Sequence, residues 1–370
     1  MKLLELCLSQ GFGGLELYAE KVIRHYNNKN VPCLSVISKN SLLDKRLQEG
    51  KIPRIYIKVI NQYFPLLAAM KLAKICRTNE ITTIHLHWRK DFPLAVFTKI
   101  FCPSPLRLVY TRQMALTREK RDLYHRFLYR FVDYYLTITK NLEEEARSYL
   151  PLEPDRIRVL YYGVPAQKQK DMAHCNDYFE NIKLKNDLFT VGLFGRIEPG
   201  KGQHILVDAT LKLIGKGMQI QSAIIGHIMD QSYYEKLQQK VIESGSDDKI
   251  SFAGFHPNPT SIMGCFDVVV LASEAETFGL VLPEAMRAGT AVIGTNAGGV
   301  PEIIQDGETG LLFSPGKSDE LAACLEKLIN NPELLKRLAE NGKVFADENF
   351  SEEKHFATLD QYLFGAIKSN

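Results

Sequence analysis

Short runs of consecutive apolar residues alternate along this chain with stretches whose apolar positions recur every three or four residues. In the first half the runs are LLELCLS, VPCLSVIS, ITTIHLH, LRLVYTR, YYLTIT and IRVLYY, with helical patterns such as LELYAEKVIRHYNN between most of them. Runs apolar on both faces predict strands buried on both sides, and the 3.6-residue patterns predict crossover helices. This is the rhythm of βαβ units in a parallel sheet, which takes ligands at the carboxyl ends of its strands. Around residues 165–187 the pattern gives way to polar AQKQKDMAHCNDYFENIKLKND, which predicts a linker with hinge freedom near 164–187. A second series follows, LFTVGLFG, QIQSAIIG, KISFAG, DVVVLAS and TAVIGTN, and residues 319–370 are helical in spacing.

At 370 residues the chain exceeds the usual size of one domain, so two α/β domains are expected. A net charge of +3 is too mild to argue for nucleic acid. The seven cysteines (7, 33, 76, 102, 175, 265 and 324) are odd in number and scattered, with no CxxC pair. That fits neither a disulfide framework nor a zinc site, and it points to a reducing cytoplasm. The opening MKLLELCLSQGFGG breaks at Gly11 and carries Glu5, so it reads as a strand and not as a signal peptide. No apolar run approaches the roughly 20 residues that span a bilayer.

Candidate chemistry gathers where strands end. Gly11 to Gly14 lie between the first strand and its helix, where glycines let backbone N–H groups approach an anion; the alternative is a tight turn with no ligand. The GxGxxG dinucleotide fingerprint is absent there, which disfavours a nicotinamide dehydrogenase. In FGRIEPGKG, Arg196 and Lys201 flank a Pro-Gly turn and suit a diphosphate, the guanidinium as a fork and the ammonium as a point charge. In SEAETFGLVLPEAM, Glu276 is expected in the loop after a strand. Pro283 holds Glu284 within the first turn of the next helix. Two carboxylates so placed suit a polyhydroxylated ligand, with the Phe278-Gly279-Leu280 backbone supplying N–H donors. His85 and His87 point to the same face of a strand, but metal ligation needs a third partner that the sequence does not identify.

The Glu276/Glu284 spacing, GRIEPGKG, GGLELYAEKV and GTNAGGVPEIIQDGETGLLF occur together and in order. With them the chain resembles the retaining glycosyltransferases of family 4, which carry the E-x7-E motif. The resemblance implies a GT-B fold, two Rossmann-like domains facing each other across a cleft. The first would be an acceptor-side domain over 1–165, joined by a returning helix at about 351–370, and the second a nucleotide-sugar-binding domain over 187–350. It implies that Glu284 holds the nucleotide ribose and Glu276 the transferred sugar. Arg196 and Lys201 would neutralise the diphosphate and stabilise the leaving group, while the turn at Gly13 and Gly14 closes over it. His87 would lie beside the donor sugar, leaving His85 as a core histidine, and base selection would rest on backbone contacts near Gly226-His227 and Phe255. No cofactor or metal is expected beyond the nucleotide sugar itself, a UDP-sugar by preference, and no Asp-x-Asp motif is present.

The chain departs from the family at Tyr162-Gly163-Val164-Pro165 and at Thr111-Arg112-Gln113. The second departure weakens any inference about the acceptor. Residues 88–130 hold ten Lys or Arg and three acidic residues among many aromatics. They suit an anionic membrane surface at the inner face of the membrane or an acidic glycolipid acceptor; the alternative is a basic helix with a core-facing aromatic stripe. The reading that results is a hexosyltransferase acting on a glycan or glycolipid in lipopolysaccharide or other cell-surface polysaccharide synthesis. Its rivals are a same-fold epimerase or hydrolase and a catalytically silent partner protein.

Overall fold

The computed structural model describes residues 2–11, 13–167 and 171–365. The chain divides into two compact units, Met1–Tyr161 with Phe356–Asn370, and Tyr162–His355. In the first unit seven strands form one sheet: β1 Leu3–Cys7, β2 Cys33–Ile37, β3 Arg54–Tyr56, β4 Thr83–Leu86, β5 Arg107–Arg112, β6 Tyr134–Thr137 and β7 Ile157–Val159. Their order is β3-β2-β1-β4-β5-β6-β7, every pair parallel. In the second unit the sheet holds β8 Phe189–Phe194, β9 Ile220–Ile225, β10 Ile250–Gly254, β11 Val268–Leu271, β12 Ala291–Thr295 and β13 Leu311–Phe313. Its order is β10-β9-β8-β11-β12-β13, again parallel.

Both sheets are doubly wound, and each reverses direction at one point, between β1 and β4 and between β8 and β11. Such switch points open a crevice at the carboxyl ends of the flanking strands, because the two connections leave towards opposite faces of the sheet. The central strands are buried throughout because helices cover both faces: all five residues of β1, Glu5 among them, and all four of β11 are buried.

The helix Glu352–Phe364 gives its residues from Phe356 onward to the first unit. There Phe356 stacks on His25 with ring centroids 3.4 Å apart, and Tyr26 Oη donates to Asp360 at 2.8 Å. Thr83 Oγ1 also donates to the Leu363 carbonyl at 2.9 Å. Residues 366–370 of the expected helix lie outside the described residues, as do 168–170 of the expected linker.

Three expectations need correction. Residues 164–187 are not a plain polar linker: they contain the helix Met172–Asn181, which buries Cys175 and Phe179 in the second unit. Its polar outer face hid two anchoring positions. The cysteines are not all single, since Cys175 and Cys265 form a disulfide with Cα atoms 5.2 Å apart. Spacing rules see only neighbours in sequence, and these two are 90 residues apart. Finally, β3 and β13 did not stand out as strands, because each is a three-residue edge element too short for periodicity to register.

Candidate active site

In the second unit the switch point gathers the residues singled out from the sequence. β8 ends at Phe194, and the chain passes through Arg196 into a turn of 3-10 helix, Pro199–Lys201. Gly202, at φ +70°, then starts the helix Gln203–Gly215. A Cβ on Gly202 would meet the Ala272 carbonyl oxygen at 2.1 Å, so only glycine lets this turn lie against the end of β11. The loop after β11 is pinned in return. Glu274 N donates to the Gly200 carbonyl at 3.3 Å, and the Glu276 carbonyl accepts from Gly299 N at 3.0 Å. A Cβ on Gly298 would strike that same carbonyl oxygen at 2.1 Å.

These backbone contacts bring Lys201 to Glu276, with Nζ 2.8 Å from Oε2 and both side chains about a quarter exposed, 25% and 21%. Arg196 turns elsewhere: its Nη2 lies 2.8 Å from Glu198 Oε1, and its side chain is 59% exposed. The structure therefore unites the expected ammonium with the expected sugar-side carboxylate and holds the guanidinium aside on its own loop. Glu284 is half-buried in the first turn of the helix Val281–Arg287, where Pro283 was expected to keep it. Phe278 is a core residue, edge-on to Tyr162 at 5.3 Å and Phe350 at 5.8 Å, so it contributes backbone and not ring to any ligand. The N–H groups of Gly279 and Leu280 find no acceptor among the described residues.

One pair was foreseen only in outline. His227 and Phe255, at the ends of β9 and β10, stack with centroids 3.9 Å apart and rings 14° from parallel, both exposed. Gly226 beside them has no room for a side chain, since a Cβ would sit 1.8 Å from the Gly195 carbonyl oxygen. An exposed, pre-stacked aromatic pair is a platform for another flat ring.

In the first unit the switch point is built differently. Glu5 on β1 lies in register with His85 on β4, and His87 follows β4 on the same face. Glu5 Oε1 is 3.0 Å from His85 Nδ1 and Oε2 is 2.6 Å from His87 Nε2, with all three side chains fully buried. Burial alone would raise the Glu5 carboxyl, but the charge and hydrogen bonds of the two histidines bring it down to about 2. The ionised carboxylate can only accept, so both imidazoles donate to it. Both ring nitrogens of His85 are then engaged, its Nε2 lying 2.7 Å from Thr111 Oγ1. His87 keeps Nδ1 buried with no partner among the described residues, and burial with the neighbouring His85 holds its pKa below the ordinary value. A neutral His87 thus presents one unpaired acceptor.

Glu5 is the third partner that the sequence did not identify. The ligand atoms of Glu5, His85 and His87 lie within 4.8 Å of one another, a spacing that would also suit a metal ion, although two hydrogen bonds already engage both carboxylate oxygens and one nitrogen of each histidine. The glycine turn after β1 is internally bonded. Gly13 caps the helix Gly14–Asn28, but its N–H already donates to Glu16 Oε2 at 2.8 Å, so the protein's own carboxylate takes that donor. Gly14 has no heavy atom near the position of a Cβ, and Phe12 lies outside the described residues.

The basic stretch 88–130 divides in two. Phe92, Phe97, Tyr110 and Tyr129 are core residues, which is the aromatic stripe of the plainer alternative. Arg89, Lys90, Arg112, Arg118 and Lys120 instead line a cavity of ≈ 360 Å³ beyond the ends of β4 and β5. Among the described residues no helix is long and apolar enough to cross a membrane.

The chain is similar in sequence and in fold to known proteins. The chain is 24% identical over 352 residues to the N-acetyl-alpha-D-glucosaminyl L-malate synthase of Bacillus anthracis, covering 86% of each chain. It is 29% identical over 277 residues to the lipopolysaccharide core biosynthesis mannosyltransferase LpcC of Rhizobium leguminosarum, 74% of this chain and 76% of that one. In fold it resembles HepE of Anabaena, solved in complex with UDP, with a TM-score of 0.85 at 22% identity over 99% of this chain and 100% of the other. The Glycosyltransferase Family 4 model matches residues 12–168 and the Glycosyl transferases group 1 model residues 176–345. Between them the two models take in most of the chain, and the protein belongs to the group 1, family 4 glycosyltransferases, with the GT-B fold.

Proposed function

We propose that the protein moves a hexosyl-type sugar from a UDP-sugar to a hydroxyl of a glycan or glycolipid, with retention of anomeric configuration and without a metal ion. The observation that carries this reading is the contact between Lys201 and Glu276 at the β8/β11 switch point. A nucleotide diphosphate sugar offers each partner a better one: phosphate oxygens for the ammonium and sugar hydroxyls for the carboxylate. As the sugar–phosphate bond breaks, negative charge grows on the departing diphosphate. Lys201 stabilises that charge, together with Arg196 once it swings from Glu198. Glu276 orients the sugar as it becomes oxocarbenium-like, and the leaving phosphate takes the acceptor proton. Glu284 holds the ribose, and the His227–Phe255 stack offers the base a flat surface.

Support for UDP comes from HepE, which has been solved with UDP and with UDP-glucose. Support for a cell-surface glycan comes from the lipopolysaccharide core mannosyltransferase LpcC. The test screens UDP-, GDP- and ADP-sugars for a thermal shift and then for acceptor-dependent nucleotide release in chelator. A UDP-sugar that stabilises the protein and turns over only with acceptor, giving a product of the donor's anomeric configuration, is the expected result. Preference for another nucleotide, release of free sugar or epimer without acceptor, inversion, or loss of turnover in chelator would each overturn the corresponding part.

A further inference from the structure

The cavity beyond β4 and β5 has a composition that the donor site does not explain. Of its lining residues five are Lys or Arg and none is Asp or Glu. Among the described residues none of these five cations makes an ion pair with a carboxylate. Arg112 is the telling case: it is 9% exposed and satisfied only by the Met114 carbonyl at 2.7 Å, the Ala115 carbonyl at 2.9 Å and a long contact to Tyr110 Oη. A buried guanidinium held by neutral oxygens keeps its whole charge, and burying it so is costly unless an anion completes the site. Burial, together with the nearby Arg118, Arg89 and Arg112, pushes Lys120 below the ordinary lysine range, as expected where like charges crowd.

The rim is apolar where the floor is basic. Tyr63 and Tyr124 line the cavity with rings 6.2 Å apart, and Phe64 packs on Tyr124 at 5.5 Å. Tyr63 and Phe64 are themselves 69% and 54% exposed, and close to them and to Tyr124 in sequence Leu67 and Leu123 are 81% and 85% exposed, so these segments present apolar side chains to solvent. Concentrated positive charge under a strip of exposed apolar side chains matches a molecule with an anionic head and a hydrocarbon chain.

We infer that this cavity binds the phosphoryl head of an amphiphile, with the chain lying along Tyr63, Phe64, Leu67 and Leu123. The inference rests on the glycosyltransferase reading and names the class of acceptor, a phosphate- or diphosphate-linked lipid. A bilayer headgroup offers the same oxyanion chemistry.

Trp88 is the one tryptophan of the chain, and Lys90 of the cavity lies over its ring at 5.2 Å. An anion that draws Lys90 away changes Trp88 emission, so binding is read without a label. Farnesyl diphosphate, inorganic pyrophosphate and phosphatidylglycerol vesicles are titrated separately into the full chain, with UDP affinity measured by calorimetry on the same samples. Saturable response to farnesyl diphosphate, tighter than to pyrophosphate, assigns the site to a lipid diphosphate; response to vesicles alone assigns it to the bilayer surface. The double variant Arg118→Glu/Lys120→Glu, on exposed and half-exposed positions, should weaken either response by at least about tenfold at unchanged melting temperature and UDP affinity. Arg112→Gln should do the same, and its melting curve separates loss of the site from loss of fold. No saturable response, a response undiminished by charge reversal, or pyrophosphate binding as tightly as farnesyl diphosphate would overturn the inference. UDP binding retained in that case leaves the donor reading standing, whereas failure to bind UDP sinks the donor reading alone.

Discussion

Glu5 and Glu276 occupy equivalent places, each beside the switch point of a doubly wound sheet, yet their surroundings are opposite. Glu5 is fully buried and its two oxygens are engaged by His85 and His87. Glu276 is partly exposed and shares one oxygen with a lysine on a neighbouring loop. A buried carboxylate bound by fixed partners adds rigidity, because any change in it leaves a charge or a donor stranded in low dielectric. A pair that reaches solvent is worth little and exchanges partners readily. The first arrangement suits a scaffold that orients another group, here His87 with its unpaired Nδ1; the second suits a group that must let go when a ligand arrives.

The contrast is broken most directly at Glu276. Glu276→Gln should lower turnover by about 10²-fold or more while UDP affinity stays almost unchanged, because the carboxylate meets the sugar and not the nucleotide. Calorimetry with UDP beside a nucleotide-release assay measures both; parental turnover would remove Glu276 from the reaction. Glu284→Gln should show the reverse balance, with UDP affinity falling first.

The buried cluster predicts a stability effect instead. Glu5→Gln should cost about 3 kcal/mol in urea unfolding, since it breaks a buried charge arrangement while leaving the histidines in place. Its pH dependence has a definite sign. The Glu5 carboxyl is depressed from 4.5 to about 2, so its contribution is present above about pH 4.5 and is lost as pH falls towards 2. His87, depressed by burial, adds loss in the same direction below the ordinary histidine value of 6.5, because the unfolded chain takes up the proton first. The variant should lack the limb between pH 4.5 and 2. Within the cluster, His85→Ala should act on melting temperature, whereas His87→Ala should lower kcat more than it changes UDP affinity. Equal catalytic losses at equal stability would erase the distinction between them.

Next in size are the cations. Arg196→Ala and Lys201→Ala should each weaken UDP binding by about tenfold or more, with uridine affinity unaffected because uridine lacks the phosphates. Both must first leave a carboxylate, but Arg196 is 59% exposed against 25% for Lys201, so water screens it more and its loss should be the smaller of the two. Equal losses for UDP and uridine would mean that these residues shape the pocket without touching phosphate.

The second unit was the more legible in sequence, for a physical reason. Its site is made of loops at strand ends, where glycines, a proline and charged residues stand out against apolar strands, and GRIEPGKG and SEAETFGLVLPEAM are contiguous. In the first unit the decisive residue is a single Glu inside LLELCLS, and only the pairing of β1 with β4 reveals that it faces His85. A signal was nonetheless present: a carboxylate in a strand buried on both faces must find a partner, and two histidines two apart on another strand were available. The Cys175–Cys265 bond and the helix Met172–Asn181 were hidden for a related reason, since each depends on contacts distant in sequence. The way Arg196 turns to Glu198 was also out of reach, because side-chain choice among nearby carboxylates is decided by loop geometry.

The smallest expected effect is also the sharpest test of the comparison. If Lys201 and Glu276 are held together only until a ligand separates them, their pair contributes little to folding. Both side chains reach solvent, and an ion pair of this kind is worth no more than about 1 kcal/mol. Glu276→Gln should therefore unfold in urea within about 1 kcal/mol of the parent, with an unchanged slope against denaturant, even though its turnover collapses. Raising the salt should narrow that gap further, because exposed charges are screened within about 10 Å at 0.1 M. The same salt series on Glu5→Gln should leave its larger deficit almost untouched, since no solvent ions reach a fully buried cluster. A salt-insensitive loss of several kcal/mol at Glu276 would mean that its ion pair is a structural element like the one around Glu5, and that the loop is braced and not waiting for a ligand.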